Sequence, residues 1–138
     1  MMERIFFTVP GKPQGKGRPR FARTGNYVKT YTPAETESYE NLIKLACSAV
    51  CKEPLEGPLK IYIRAFFPIP KSWSKKRQAM ALNGEIRPTT KPDFDNIAKV
   101  VCDSLNGIAY GDDTQIVDAV TTKRYDNTPR LEVYIAPV

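Results

Sequence analysis

With 138 residues, 41% of them apolar and 26% charged, the chain suffices for one hydrophobic core and is too short for two comfortable ones. Its apolar runs are too short for a membrane span, and Glu3 and Pro10 bound the first of them, so no secretory signal is expected. A net charge of +6 points to a polyanionic partner, and the lack of histidine removes the usual general base and the commonest zinc ligand, leaving carboxylates, lysines, hydroxyls or an oxygen-held metal for any chemistry. The expectation is a single domain over residues 1–138, cytoplasmic, with no membrane partner and no small-molecule organic cofactor. Cys47 and Cys51 lie one helical turn apart, and with Cys102 they make an odd count that fits neither a disulfide framework nor a zinc spacing.

In chain order, "RIFFTVP" reads as a strand closed by Pro10, and "GKPQGKGRPRFARTGN" as an extended basic loop. "YVKTY" is a short returning strand with Tyr27, Val28 and Tyr31 as packing candidates. "TPAETESYENLIKLACSAVCK" reads as a helix with Thr32 as N-cap, Pro33 in the first turn and Glu35 completing a capping box. Its expected buried face is Tyr39, Leu42, Ile43, Ala46, Ala49 and Val50.

"LKIYIRAFFPIP" alternates as a half-buried strand. "SWSKKRQAMALNG" is a short basic helix capped by Ser74, stopped at Asn83 and Gly84 and anchored by Trp73. "DFDNIAKVVCDSLNG" is the second main helix, with Ile97, Val100, Val101 and Leu105 on its apolar face. "IVDAVTTKRY" and "RLEVYIAP" close the chain as strands joined by "DNTP". The order predicts an α/β (α+β) fold, a mixed β-sheet packed against two main helices.

Charge is distributed unevenly. Gly11 to Tyr31 holds six bases (Lys12, Lys16, Arg18, Arg20, Arg23, Lys29) and no acid, whereas Asp93 to Asp118 holds six aspartates and the single base Lys99. Asp95, Lys99 and Asp103 form one stripe on the second helix, and Asp93 and Asp95 fall at its N-terminus, where the dipole favours carboxylates. An ordinary cap and an exposed ion-pair ladder account for that helix taken alone. Asp112 and Asp113, adjacent in a turn, weaken that account, because like charges so close repel unless solvent or a cation relieves them.

The functional alternative gathers helix-start and turn aspartates around a divalent ion such as Mg²⁺, which takes hard oxygen ligands and keeps several waters. Lys99 then reaches a scissile phosphate. The glycine-rich "GKPQGKGRPR" is no P-loop, since its spacing is one short and Gly17 replaces the Ser or Thr. It fits a phosphate-neutralising arm through Lys12, Lys16, Arg18, Arg20 and Arg23, with Phe21 open to a packing, stacking or wedge role. Lys75, Lys76 and Arg77 are either a second phosphate contact or a solvated helix face. Lys123 lacks the acid two residues before it that a PD-type nuclease triplet needs, and "DFDN" lacks the third ligand and glycine of an EF-hand.

Taken together, "KPDFDNIAKVVCDSLNG", "YGDDTQI" and "TKRY" resemble the RusA family of phage and prophage Holliday-junction resolvases, whose pattern is Lys-Pro-Asp-x-Asp-Asn-x-x-Lys, then an Asp, Leu-Asn-Gly and Asp-Asp-x-Gln. The basic "GRPR" loop and the Pro-Ala-Glu helix start are similar to the family too. The resemblance implies a homodimeric, Mg²⁺-dependent endonuclease, with Mn²⁺ able to substitute, acting on branched four-way DNA. It implies Asp93, Asp95 and Asp113 as metal ligands and Lys99 as the essential lysine, with Asp112 and Asp103 as further ligands or supports. Two alternatives stay open: a nuclease for flaps and forks, and a non-catalytic junction-binding protein.

Overall fold

The structure, a computed structural model, describes residues 3–138. Its elements run β1 (Ile5–Pro10), β2 (Arg20–Thr24), β3 (Tyr27–Tyr31), α1 (Ala34–Ser48), β4 (Leu59–Pro68), α2 (Lys75–Leu82), α3 (Phe94–Ser104), a 3-10 turn at Asp113–Gln115, β5 (Ile116–Asp126) and β6 (Arg130–Pro137). Four strands form a mixed sheet in the order β1-β6-β4-β5, and β2 pairs with β3 in a separate two-stranded ribbon. The arrangement is the expected α+β domain. No helix among the described residues is long and apolar enough to cross a membrane.

Strand alternation decides which sheet face is covered. Ile5, Phe7 and Val9 of β1, Leu59, Ile61 and Ile63 of β4, and Leu131, Val133 and Ile135 of β6 are buried, and they join Tyr39, Ile43 and Cys47 of α1 and Ile97, Val100 and Val101 of α3 in one core. Each such fully buried side chain stabilises the fold by roughly 1.5–3 kcal/mol. Alternate residues project from the other sheet face, which stays partly exposed. Register aligns Phe6, Tyr134, Tyr62 and Val120 in a row across all four strands, and Phe6, Tyr62 and Val120 remain 49%, 39% and 46% exposed.

Several local expectations are corrected. Part of the basic loop is itself a strand, β2, which pairs with β3 through Arg20↔Tyr31 to Thr24↔Tyr27. The supposed packing residues Tyr27, Val28 and Tyr31 are exposed, because the ribbon stands off the core. Helix α1 begins after Pro33, and no side chain caps it. The Thr32 capping box is therefore not formed; the nearby Thr36 hydroxyl instead accepts the Gly17 N–H at 3.1 Å. Leu42, Ala49 and Val50 are exposed while Thr36 and Cys47 join Tyr39 and Ile43 on the buried face, rotating the stripe by part of a turn. Helix α2 matches its reading, with Ser74 accepting the Arg77 N–H and Gly84 at φ +82° past its end.

The closing strands do not pair with each other. β4 lies between them, antiparallel to β6 and parallel to β5. It takes partners on both sides, and residues 127–129 pass over its end. A parallel pair needs a long crossover, and residues 69–115 supply it with α2 and α3. The acidic island lies on that crossover.

Candidate active site and nucleic-acid interface

Asp93 occupies the N-cap position of α3 with an extended backbone, and its carbonyl accepts the Ile97 N–H at 3.1 Å. Its carboxylate makes no capping bond. The commonest structural use of an aspartate at this position is therefore absent, and the carboxylate stays free beside the positive end of the helix. Asp95 is exposed in the first turn, and Lys99 is exposed one turn further. The ladder of ion pairs along this face does not form: among the described residues Lys99 has no acidic partner within salt-bridge distance, and Asp103 pairs with Lys16 at 3.6 Å.

Beyond α3 the chain makes a turn held by side-chain amides. Asn106 Oδ1 accepts the Asp113 N–H at 2.9 Å, and Gln115 Oε1 accepts the Gly111 and Asp112 N–H groups at 2.9 and 3.2 Å. Gln115 Nε2 donates to the carbonyls of Leu55 and Gly57, both at 3.0 Å, tying this turn to the segment that precedes β4. Tyr110, fully buried, donates to the Cys102 carbonyl at 2.8 Å and closes the space beneath. Asn106 and Gln115 brace this turn; both fall in the Leu-Asn-Gly and Asp-Asp-x-Gln elements of the family pattern, but the sequence did not show that they would hold the aspartates.

The fixed turn crowds negative charge. Partial burial, then hydrogen bonding to Asp112 and the charges of Asp112 and Asp103, raise the Asp113 carboxyl above its ordinary value. Burial likewise pushes the Cys102 thiol up to about 11, so it is protonated at neutral pH. Cys47 and Cys51 are free as well, with burial pushing Cys47 up to about 12.

The basic arm is docked at its foot. The Lys16 N–H donates to the Asn96 carbonyl at 3.1 Å, and Lys16 Nζ contacts Glu40 of α1 at 2.9 Å as well as Asp103 of α3. Neighbouring glycines permit this approach. A Cβ on Gly15 would come within 2.9 Å of Asn96 Cβ and 3.0 Å of Pro92 Cβ, and one on Gly17 within 2.3 Å of Thr36 Oγ1. Arm and helix start together bound an open cleft of about 700 Å³, lined by Lys12, Lys16, Arg18, Lys91, Asp93 and Asn96. Lys16 is thus a strut between two helices, whereas Lys12 and Arg18 face the cleft without acidic partners among the described residues.

Other basic residues divide by setting. Lys75, Lys76 and Arg77 are exposed on α2, and the Arg77 guanidinium stacks 4.1 Å from the Trp73 ring, which itself meets Tyr125 edge-on at 5.3 Å. Trp73 anchors this helix as expected. Lys123 donates to the Thr90 carbonyl at 2.7 Å, and its own carbonyl accepts from Arg87 Nε at 2.8 Å. It secures the segment leading into Pro92 and takes no place among the acids.

Geometry thus sets Asp113, Asp112 and Asp103 near the C-terminal end of α3, and Asp93 and Asp95 at its N-terminal end. Among the described residues no three His, Cys, Asp or Glu side chains stand close enough together to hold a metal ion. The donor chemistry nevertheless fits a hard divalent cation. The available groups are carboxylate oxygens, one pair of them is destabilised by its own charge, and Mg²⁺ needs only one or two because it retains water.

Comparison with known proteins agrees with the motifs. The model of the family "Endodeoxyribonuclease RusA" matches residues 10–136, nearly the whole chain. The Bacillus subtilis (strain 168) protein described as "Uncharacterized protein YqaN" is 40% identical over 140 residues, covering 99% of each chain. A full-length family match on a chain that carries free carboxylates at the start of α3, a braced aspartate turn and a basic cleft between helix and arm means that the protein belongs to the RusA family of Holliday-junction-resolving endonucleases and is a DNA endonuclease.

Proposed function

We propose that the protein is a homodimeric, Mg²⁺-dependent resolvase that cuts two strands of a four-way DNA junction symmetrically, with Mn²⁺ able to replace Mg²⁺. The observation that carries this reading is the Asp93 carboxylate, left uncapped in the lining of an open basic cleft that an arm of the same chain bounds. Asp93 and Asp95 at the start of α3, and Asp113 beyond its end with Asp112 and Asp103 in support, are the proposed ligands of Mg²⁺. When bound, it supplies water activation and relief of the charge that develops on a cleaved phosphodiester.

The remaining work falls to side chains. Lys12 and Arg18 draw the sugar-phosphate backbone into the cleft, and Lys75, Lys76 and Arg77 extend the positive surface along α2. Lys99, free of any acidic partner among the described residues, offers its ammonium to the scissile phosphate. Asn106 and Gln115 keep Asp113 at a fixed point despite its repulsion from Asp112.

Symmetric cutting needs two sites related by a two-fold axis, which an isologous dimer provides. The uncovered sheet face suits that role. Phe6, Tyr62, Tyr134 and Val120 line a groove of about 380 Å³, with Arg64 and Glu132 paired at 3.2 Å beside them. Such an apolar row flanked by both charge signs can complement a copy of itself.

The test is incubation of the purified protein with a labelled four-way junction, with and without Mg²⁺. Paired nicks that appear only with the ion are expected. Equal cutting of flaps and forks would make it a general branched-DNA nuclease, and binding without cleavage in any divalent ion would make it a junction-binding protein.

A further inference from the structure

Among the described residues the β2–β3 ribbon contributes nothing to the core: all ten of its strand residues are exposed. Four are large apolar or aromatic side chains, with Phe21 71%, Tyr27 78%, Val28 67% and Tyr31 47% exposed. An isolated two-stranded ribbon gains little stability in water, so rings held this way have no folding role to explain them. Replacing them costs the fold almost nothing.

Register sorts the rings into two faces. Tyr27, Lys29 and Tyr31 share one face with Arg20, and Phe21 and Arg23 share the other with Val28 and Thr30. Each face therefore interleaves aromatic rings with cations, about 6.8 Å apart along a strand. Among the described residues Arg18, Arg20, Arg23 and Lys29 have no acidic partner, so their charge is available to an anion. Duplex backbone alone needs cations and makes no use of rings. Splayed bases use both, because a base stacks on an aromatic face while its phosphate takes the neighbouring charge.

The ribbon also continues the cleft. Its foot is fixed to Asn96, Thr36, Glu40 and Asp103, and Arg18 in the cleft wall stands two residues before β2 begins. Chain continuity from Arg18 to Arg20 therefore joins the cleft wall to the start of the ribbon.

We infer that the ribbon is a base-stacking finger: Tyr27 and Tyr31 on one face and Phe21 on the other receive unstacked bases at the branch point of the DNA held in the cleft. This rests on the reading of the cleft as a junction-binding site. The ribbon thereby distinguishes branched from continuous DNA, since only the branch offers bases that can leave the stack at small cost.

The experiment uses full-length protein carrying Asp113→Asn, so that DNA stays intact, and a four-way junction with 2-aminopurine at the crossover. Binding is expected to change the probe's fluorescence severalfold. The triple variant Phe21→Ala, Tyr27→Ala, Tyr31→Ala, built in the same background, should abolish that change and weaken junction binding at least about tenfold. Its affinity for linear duplex should stay within about twofold, its melting temperature should be unchanged, and Tyr27→Phe should behave as the parent. A triple variant that keeps the fluorescence change and the affinity overturns the finger, and equal losses on junction and duplex overturn it in favour of a general duplex clamp. Parallel cleavage by the protein without substitutions separates the two levels: if it cuts junctions while the triple variant matches its parent, only the finger fails. No binding or cleavage of junctions at all removes the reading beneath it.

Discussion

The crossover between β4 and β5 and the β2–β3 ribbon carry much of the polar chemistry of the chain, yet they are built in opposite ways. In the crossover every turn near the acids is braced: Asn106 and Gln115 hold the aspartate turn, Lys123 and Arg87 tie the approach to Pro92, and α3 sits on the core through Ile97, Val100 and Val101. The ribbon's strand residues are all exposed, and the arm that leads into it is docked at Lys16 and Gly17. On the proposed function the difference separates two demands: carboxylates proposed to meet a metal and a phosphate need fixed positions, whereas contacts to a substrate of variable shape profit from reach.

The contrast can be broken most forcefully at the acids. Asp95→Asn should lower junction cleavage at least about 100-fold, and junction binding should hold or tighten because a negative charge leaves the DNA face. Gel-shift and single-turnover assays on the same preparation check this, and lost binding would show that Asp95 shapes the fold instead.

Loosening the brace is the next largest effect. Gln115→Ala strands two N–H groups and two carbonyls, and a loss of about 1–3 kcal/mol in denaturant unfolding is expected together with slower cleavage at unchanged junction affinity. Should Gln115→Ala destabilise the chain with no change in rate, the turn is structural only.

Gly15→Ala probes the join between the two regions. Its Cβ meets Asn96 and Pro92, neither of which can swing away, so a cost of about 1–3 kcal/mol and weaker junction binding are expected. Unchanged affinity would show that the arm acts independently of its docking.

The smallest effect concerns charge crowding. Because the Asp113 carboxyl lies above its ordinary value, ionising it opposes folding: the penalty is present once pH exceeds its folded value and is relieved on protonation below the unfolded one. Without divalent ions, Asp113→Asn should therefore leave stability at neutral pH equal or higher by up to about 0.5 kcal/mol. Mg²⁺ should stabilise the chain without substitutions and not this variant, by about 2.7 kcal/mol at a hundredfold excess over its dissociation constant. Thermal melts with and without Mg²⁺ measure both.

Much of this was legible in the sequence where local chemistry decides structure. The alternation in β4, the cap at Ser74 and the apolar face of α3 depend on neighbours a few residues away, and they stand as read. What depends on tertiary packing was not legible. Thr32 offered a capping box, but the approach of Gly17 to the adjacent turn drew on Thr36, and the helix started later. The "DNTP" link looked like a hairpin, but β4 competed for both closing strands. Tyr27 and Tyr31 looked like core residues because aromatic content does not reveal that a ribbon will stand away from every helix. The aspartates at positions 93, 95, 103, 112 and 113 were visible by charge alone, whereas Asn106 and Gln115 were present in the family pattern but their bracing of the turn emerged only with their hydrogen bonds.

The central claim is that carboxylates of the crossover make this chain a metal-dependent junction resolvase. Cleavage of a labelled four-way junction, followed with and without Mg²⁺ beside the Asp113→Asn variant and an equal-length linear duplex, tests it most directly. The account predicts paired symmetric nicks in the junction with Mg²⁺, none without it, none from the variant and little on duplex. Metal-independent cutting, or full activity in the variant, would contradict it.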